Sequence, residues 1–210
     1  MLSKLKIKDL LSAYKPLIFK DLDLTNLRYM DFSGLNLTNV IFDDCYLACS
    51  DFTGAYLNEI SFQNVNAPNC IFSRTFIRST EVNNTDFKNA IFSDSEITNS
   101  KFRFTKFINS KFTNANIIDS NFQNVNLEAC DFNYSYLDKI SFENSILRFA
   151  IMPEITKEQT VNFINSDLLG TDYEHINSKN NYDIKSPETE NRIENKSSTN
   201  AKKIVVNFTI

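Results

Sequence analysis

Large apolar residues recur at every fifth position of this chain from Leu22 to Met152. The run holds 27 such positions without an insertion or deletion: 13 Phe, 8 Leu, 3 Ile and one each of Val82, Ala67 and Met152. A straight helix would smear a five-residue spacing around its axis, and a straight strand would send successive apolar residues to opposite faces. The pattern therefore predicts short extended segments with a turn after every five residues.

Each repeat has two positions that are predicted to face inward. Side chains two residues apart in an extended segment point to the same side, so the apolar centre and the residue two before it belong to the interior. That second residue is mostly small or β-branched. The residue two after the centre, here called the turn position, is Asn in 10 of the 27 repeats and Gly at Gly34 and Gly54. Both residue types tolerate the left-handed conformation that a tight turn needs.

The pentamers TDFKN and AIFSD, which follow one another from Thr85 to Asp94, show the pattern well. The general order is a small residue, then Asp or Asn, then Leu or Phe, then two polar residues. This order resembles the repeat of the pentapeptide-repeat family, and the resemblance covers about two thirds of the chain. It implies an all-β solenoid, a right-handed quadrilateral β-helix with four repeats per coil. The 27 repeats would then make nearly seven coils. With strands about 4.8 Å apart, the rod would be roughly 30 Å long.

Four repeats per coil place every twentieth residue in one column, which tests the model against the sequence. Aromatic residues then lie over aromatic residues and aliphatic over aliphatic, as stacked layers of one core require. Two of the columns read Phe32, Phe52, Phe72, Phe92, Phe112, Phe132, Met152 and Leu37, Leu57, Ile77, Ile97, Ile117, Leu137.

The two ends depart from the repeat. Residues 1–19 have leucines at near-helical spacing up to Pro16 and are predicted to form an amphipathic helix that caps the first coil. Because the helix is basic, binding to a membrane surface or a partner groove is the alternative. Residues 20–154 are predicted to form the β-helix.

Beyond the β-helix, residues 155–175 are expected to form an irregular segment and a final partial coil, with centres at Phe163, Leu168 and Tyr173. Residues 176–210 are polar and are predicted to be a disordered tail. The closing IVVNFTI is β-prone, so it either pairs with the solenoid or docks onto the sheet edge of a partner.

The charge and the apolar runs bear on partners and compartment. The formal net charge of −4 gives no attraction to nucleic acid, and no direct nucleic-acid binding is expected. No segment reaches the roughly 18 apolar residues of a spanning helix, and Lys4, Lys6 and Lys8 interrupt a signal-peptide core. The chain is expected to be cytoplasmic with reduced thiols, and delivery as a secreted bacterial effector stays open.

Residues for catalysis or metal binding do not form a recognisable set. The only histidine, His175, lies at the frayed end of the repeat and is interpreted as an exposed turn residue. Cys45, Cys70 and Cys130 occupy inward small positions, and Cys49 occupies a turn position, without paired CxxC spacing. We therefore predict no catalytic residue, no cofactor, no metal and no enzymatic activity.

Charge is unevenly spread over the predicted surface. One face carries more acidic residues than basic ones, the latter being Lys20, Lys101 and Arg103. The coil of Lys101, Lys106 and Lys111 carries a basic belt. Solvation of an ordinary charged exterior is the simpler interpretation, and a partner-binding acidic face is the sharper one. The residues of that face are Asp21, Asp23, Asp43, Asp44, Glu81 and Glu143.

Two functions fit these features. The first is a non-catalytic protein-protein interaction module or scaffold that uses the long faces of the rod, since solenoids bind through extended surfaces. The alternative follows from the resemblance: family members that confer quinolone resistance resemble duplex DNA and bind a type II topoisomerase such as gyrase. Against this alternative, the run lacks a protruding insertion and its negative charge is diluted. The expected partner is a protein, and a homodimer is left open.

Overall fold

The computed structural model describes residues 3–172 and the backbone of residues 204–206. They form a parallel β-solenoid of about six turns with a helix at its N-terminal end. Helix α1 spans Lys4–Ala13, and a 3-10 turn spans Lys20–Leu22. The strands are β1 (Ile41–Asp43), β2 (Tyr56–Asn58), β3 (Ser61–Gln63), β4 (Phe76–Arg78), β5 (Glu81–Asn83), β6 (Glu96–Thr98), β7 (Lys101–Arg103), β8 (Asn116–Ile118), β9 (Asn121–Gln123), β10 (Tyr136–Asp138), β11 (Ile140–Glu143), β12 (Val161–Ser166) and β13 (Ile204–Val206).

The solenoid has four faces, which we number in chain order by the columns of Phe42, Leu47, Phe52 and Leu57. Face 1 is an eight-stranded sheet in the order β1-β3-β5-β7-β9-β11-β12-β13, and face 4 is a five-stranded sheet in the order β10-β8-β6-β4-β2. On faces 2 and 3, isolated parallel bridges between residues twenty apart join each coil to the next. The same spacing pairs Phe42 with Phe62 on face 1. The prediction of four repeats per coil is thus confirmed.

The core is a set of stacked columns. Every apolar centre from Leu27 to Met152 is buried. On face 3 the rings of Phe92 and Phe112 stack with centroids 4.9 Å apart, and Phe112 and Phe132 continue the stack at 4.8 Å. Rings of neighbouring columns meet edge to face, which is a favourable geometry for aromatic pairs. The interior is therefore one continuous cluster that runs along the rod.

The left-handed turn of each repeat is regular. All turn positions from Tyr29 to Phe149 have a positive φ, with values between 49° and 66°. Asn and Gly adopt this conformation at little cost, which explains their frequency there. The prediction made from the turn residues is confirmed.

Small polar residues at the second inward position donate to backbone carbonyls, some in the preceding coil and others two or three residues earlier in their own coil. The Ser50 hydroxyl donates to the Leu27 carbonyl at 2.7 Å, and the Ser110 hydroxyl donates to the Phe87 carbonyl at 2.8 Å. The Cys70 thiol donates to a carbonyl in the same way. A buried hydroxyl without a partner would be costly, so these bonds explain why Ser, Thr and Cys alternate with Ala and Val there.

The outward Asp or Asn that precedes many centres is also structural. Its side-chain oxygen accepts the backbone N–H two residues later, as in Asp51 to Thr53 at 2.8 Å and Asp131 to Asn133 at 2.9 Å. Such a bond stabilises the local turn. These carboxylates are thus explained by the repeat itself.

The N-terminal end confirms the cap and corrects the first repeat. Helix α1 buries Ile7 on the core and anchors Lys4 to Asp31 at 3.0 Å. Leu22 was predicted as the first centre, but it lies in the 3-10 turn and is only partly buried. Phe19 takes that place and stacks on the ring of Phe42 at 5.2 Å. A full aromatic ring continues the stack better than Leu22 does, and the chain reaches this position directly from the helix.

The C-terminal end resumes the solenoid after one extra residue. Phe163 pairs with Phe142 at a spacing of 21 residues, and their rings stack at 5.3 Å. On face 4 the Gln159 side chain donates to the Leu137 carbonyl at 2.8 Å. The tail strand β13 pairs antiparallel with β12, so the β-prone end of the chain contacts the solenoid. Tyr173, His175 and the remaining tail lie outside the described residues.

Candidate interaction surface

The cysteine thiols are poor nucleophiles where they are buried. Burial raises the pKa of Cys45 and of Cys70 to about 12 and raises that of Cys130 as well. Cys49 is exposed, and all four are free thiols. Within residues 3–172, no three His, Cys, Asp or Glu side chains come together as metal ligands. In the same part of the chain, no helix is long and apolar enough to cross a membrane.

The acidic residues of the N-terminal coils lie close together but not as free charges. Asp21 and Asp23 are exposed at the 3-10 turn. The Lys20 ammonium contacts Asp43 at 3.1 Å and Asp44 at 2.6 Å. The hydrogen bond from Lys20 lowers the pKa of Asp44, and the bond to Asp44 raises the pKa of Lys20. This lysine thus offsets part of the negative charge.

The other two predicted acidic residues lie farther along face 1. Glu81 in β5 faces Lys101 in β7 at 3.9 Å. Glu143 in β11 accepts hydrogen bonds from the side chains of Asn121 at 3.0 Å and Gln123 at 3.4 Å. The six carboxylates therefore share one side of the rod, but several coils separate Glu143 from the N-terminal group.

The basic belt has the geometry that the sequence predicts. Lys101, Lys106 and Lys111 are exposed on faces 1, 2 and 3 of one coil. Each lies beside residues of the neighbouring coils, as Lys106 does beside Asp86 of the coil before and Lys111 beside Asp131 of the coil after. Each lysine of the belt thus has a carboxylate in one neighbouring coil.

Four aromatic residues at turn positions form a feature that the repeat pattern did not single out. Tyr29, Phe104, Tyr134 and Phe149 have φ values of 58°, 51°, 60° and 58°. Their exposed fractions are 71%, 58%, 85% and 57%. A bulky residue in this conformation is strained, and an exposed ring gains little from folding. The sequence marks these four residues because each places an aromatic side chain at a turn position, where Asn is most frequent.

Two of these rings lie in the last coils of the rod together with three other exposed apolar residues. Phe149 lies at the edge between faces 2 and 3, and its ring covers Gly170: a Cβ on that glycine would lie 2.6 Å from Phe149 Cδ1. Ile151 lies on face 3 in the same coil, and Tyr134 lies at the far edge of face 3 one coil earlier. We call this group the C-terminal apolar patch: Tyr134, Ile146, Phe149, Ile151 and Leu169.

Carboxylates surround this patch. Asp131 is bridged to Ile151, and exposed Asp172 accepts the Met152 N–H at 2.8 Å. Glu154 is exposed two residues further along the chain. The nearby Arg148 guanidinium is paired with Asp167 at 2.6 Å. The patch is therefore apolar with an acidic rim, a combination that suits an apolar partner surface with basic neighbours.

A solved structure shares the architecture. HetL, a pentapeptide repeat protein involved in heterocyst differentiation regulation from the cyanobacterium Nostoc sp. strain PCC 7120, has a TM-score of 0.57 at 15% identity. That alignment covers 81% of this chain and 82% of HetL. A trypsin-treated form of QnrB1, a plasmid-mediated fluoroquinolone resistance protein, gives 0.41 at 16% identity over 76% of this chain and 97% of its own.

The comparison with curated proteins gives no match. The family model for pentapeptide repeats matches in 8 copies over residues 21–58, 55–94 and 95–133. These matches span more than half of the chain and coincide with the coils described above. The chain therefore belongs to the pentapeptide-repeat family.

Proposed function

We propose that this protein is a non-catalytic protein-protein interaction module that holds its partner at the C-terminal apolar patch. The observation that carries the proposal is the pair of exposed rings, Tyr134 and Phe149, in left-handed backbone conformation. Both positions carry backbone strain, and the Tyr134 ring is 85% exposed, whereas the Phe149 ring is 57% exposed and also covers Gly170. Residues that break a local rule without a folding benefit are expected at functional sites.

The fold supports this role. Pentapeptide-repeat proteins are typically structural or interaction modules. Stacked coils hold outward side chains in fixed rows about 4.8 Å apart, so little ordering entropy is lost when a partner binds. Aromatic residues are enriched in interface cores, and carboxylates around them favour a partner with Lys and Arg at its rim.

Replacing Tyr134 and Phe149 together with Asn separates binding from folding. Asn adopts the left-handed conformation readily, so relief of strain should offset the loss of the contact between Phe149 and Gly170, and the melting temperature is expected to change little. Partner affinity should fall by about tenfold or more, because buried aromatic side chains dominate interface energy. Quantitative affinity capture followed by mass spectrometry measures which proteins the wild type retains and the variant loses.

Phe104→Asn is the matched control for this double variant. Phe104 has the same conformation and similar exposure, but it lies at the edge between faces 1 and 2, away from the patch. The Phe104→Asn variant should retain the partners that the double variant loses. Equal retention by the wild type and the double variant would refute the patch as the binding site.

The acidic face remains a separate hypothesis that is tied to the topoisomerase alternative. Changing Asp21, Asp23, Asp43 and Asp44 to Asn should leave the fold intact, since Asn suits turns. If gyrase is the target, the wild type alters supercoiling at low salt and the quadruple variant loses most of that effect. An unchanged supercoiling assay with excess wild-type protein would eliminate this alternative.

A further inference from the structure

A groove of about 790 Å³ lies where face 4 begins, between the end of α1 and the first coil. Its lining includes Leu11, Tyr14, Leu17, Asn36, Val40 and Glu59. The volume falls in the range of roughly 300 to 1,000 Å³ that is usual for binding clefts. The lining combines apolar residues of the helix and the following segment with polar residues of the first two coils.

The groove borders the open start of face 4. On face 1, Phe19 lies before strand β1, and its N–H donates to the Ile41 carbonyl. On face 3 Lys4 of α1 contacts Asp31 and Ser33. Among the described residues, no strand lies before Asn36 on face 4.

Later coils show what such a neighbour would bind. Between the first and second coils, the Tyr56 N–H donates to the Leu35 carbonyl at 2.9 Å. In return the Leu37 N–H donates to the Tyr56 carbonyl at 2.8 Å, and the Asn39 N–H donates to the Asn58 carbonyl at 3.0 Å. Each strand therefore forms three backbone hydrogen bonds with the coil before it, through one N–H and two carbonyls.

The equivalent three groups of the first coil are the N–H and carbonyl of Asn36 and the carbonyl of Thr38. Within the described part of the chain, none of them has a protein hydrogen-bond partner. An unpaired strand edge is a template for another strand, and proteins usually cover it. At this end of face 4 the edge is bordered by the groove.

We propose that this edge binds an extended peptide segment of a partner protein, added in parallel as the missing strand of face 4. The peptide accepts one hydrogen bond from the Asn36 N–H and donates two, to the carbonyls of Asn36 and Thr38. Its apolar side chain enters the groove beside Leu11 and Val40. This mode of strand addition takes affinity from the backbone and specificity from alternate side chains.

The inference rests on the proposed interaction role and names a class of partner for it. The groove lies at the opposite end of the rod from the C-terminal apolar patch. Binding at the two places can therefore be abolished independently, and the failure of one leaves the other intact.

The test is a titration of the full-length protein with a synthetic blocked peptide, AYLNEIS, the sequence of residues 55–61. This peptide is the strand that already pairs with the other side of the first coil. We expect the Asn36 amide to shift in NMR spectra and to become protected from hydrogen exchange. The amide of Asn116, which holds the same position in a paired coil and donates to Ser95, should not change.

Two controls make the result specific. A peptide with proline in place of its leucine lacks the N–H that binds the Asn36 carbonyl and should bind about tenfold more weakly. In the protein, Asn36→Pro removes the donor and should abolish binding, whereas Asn36→Ser keeps it and should bind as the wild type does. Melting temperatures verify that both variants are folded.

The outcomes are distinct. No change at Asn36 with saturating peptide overturns the groove as a strand-docking site, even if the patch variants still lose their partners. Protection of Asn36 before peptide is added also overturns it, because the edge would then be covered already. If the peptide binds while the patch variants keep all partners, the groove stands and the patch is wrong.

Discussion

Replacing Phe112 with alanine should lower the free energy of unfolding by about 3 to 5 kcal/mol, the usual cost of truncating a buried Phe. The ring is fully buried and stacks on Phe92 and Phe132. It also meets the ring of Phe107 edge to face at 5.5 Å. Its neighbours are held by their own coils and cannot collapse into the space, so the upper part of this range is expected.

Lys111→Ala is the matched control because Lys111 directly precedes Phe112 and is exposed. Surface substitutions of this kind usually change stability by no more than about 0.5 kcal/mol. Equilibrium denaturation in urea, with unfolding followed by circular dichroism, measures both variants. Similar losses for the two would contradict the inward and outward assignment of the repeat.

Replacing Ala67 with Phe should destabilise the protein by about 1 to 3 kcal/mol, although Phe is the commonest centre of the repeat. Ala67 lies on face 2 between Phe62 and Phe72 of the same coil. Phe87 of the next coil uses the space left by the small side chain, because its ring contacts Phe62 at 5.6 Å and Phe72 at 5.4 Å. A second ring at position 67 would compete with Phe87 for that volume.

The exchange of the two residues tests this explanation. If Phe87 occupies the space beside Ala67, the double variant Ala67→Phe, Phe87→Ala should be more stable than the sum of the two single effects predicts. The coupling between contacting residues is commonly about 0.5 to 3 kcal/mol. Additive effects in denaturant titrations of the three variants would show that the rings do not share the volume.

The periodic part of the molecule was predictable from the chain alone. A strict five-residue spacing permits few backbone paths, and columns such as Phe32 to Phe132 show which residues stack. Inward and turn positions followed from the alternation of side chains and from residues that tolerate a positive φ. Local geometry repeats in every coil, so a single rule describes residues 27–152.

The interaction surfaces needed the tertiary structure. The aromatic residues at Tyr134 and Phe149 are visible in the sequence, but the placement of Leu169 beside Phe149 depends on how the last coil resumes after an extra residue. Likewise, the groove beside Asn36 forms between the end of α1 and the first coil, and the repeat pattern does not place that helix. Such contacts form where the repeat ends, and there neither spacing nor neighbouring coils specify the path of the chain.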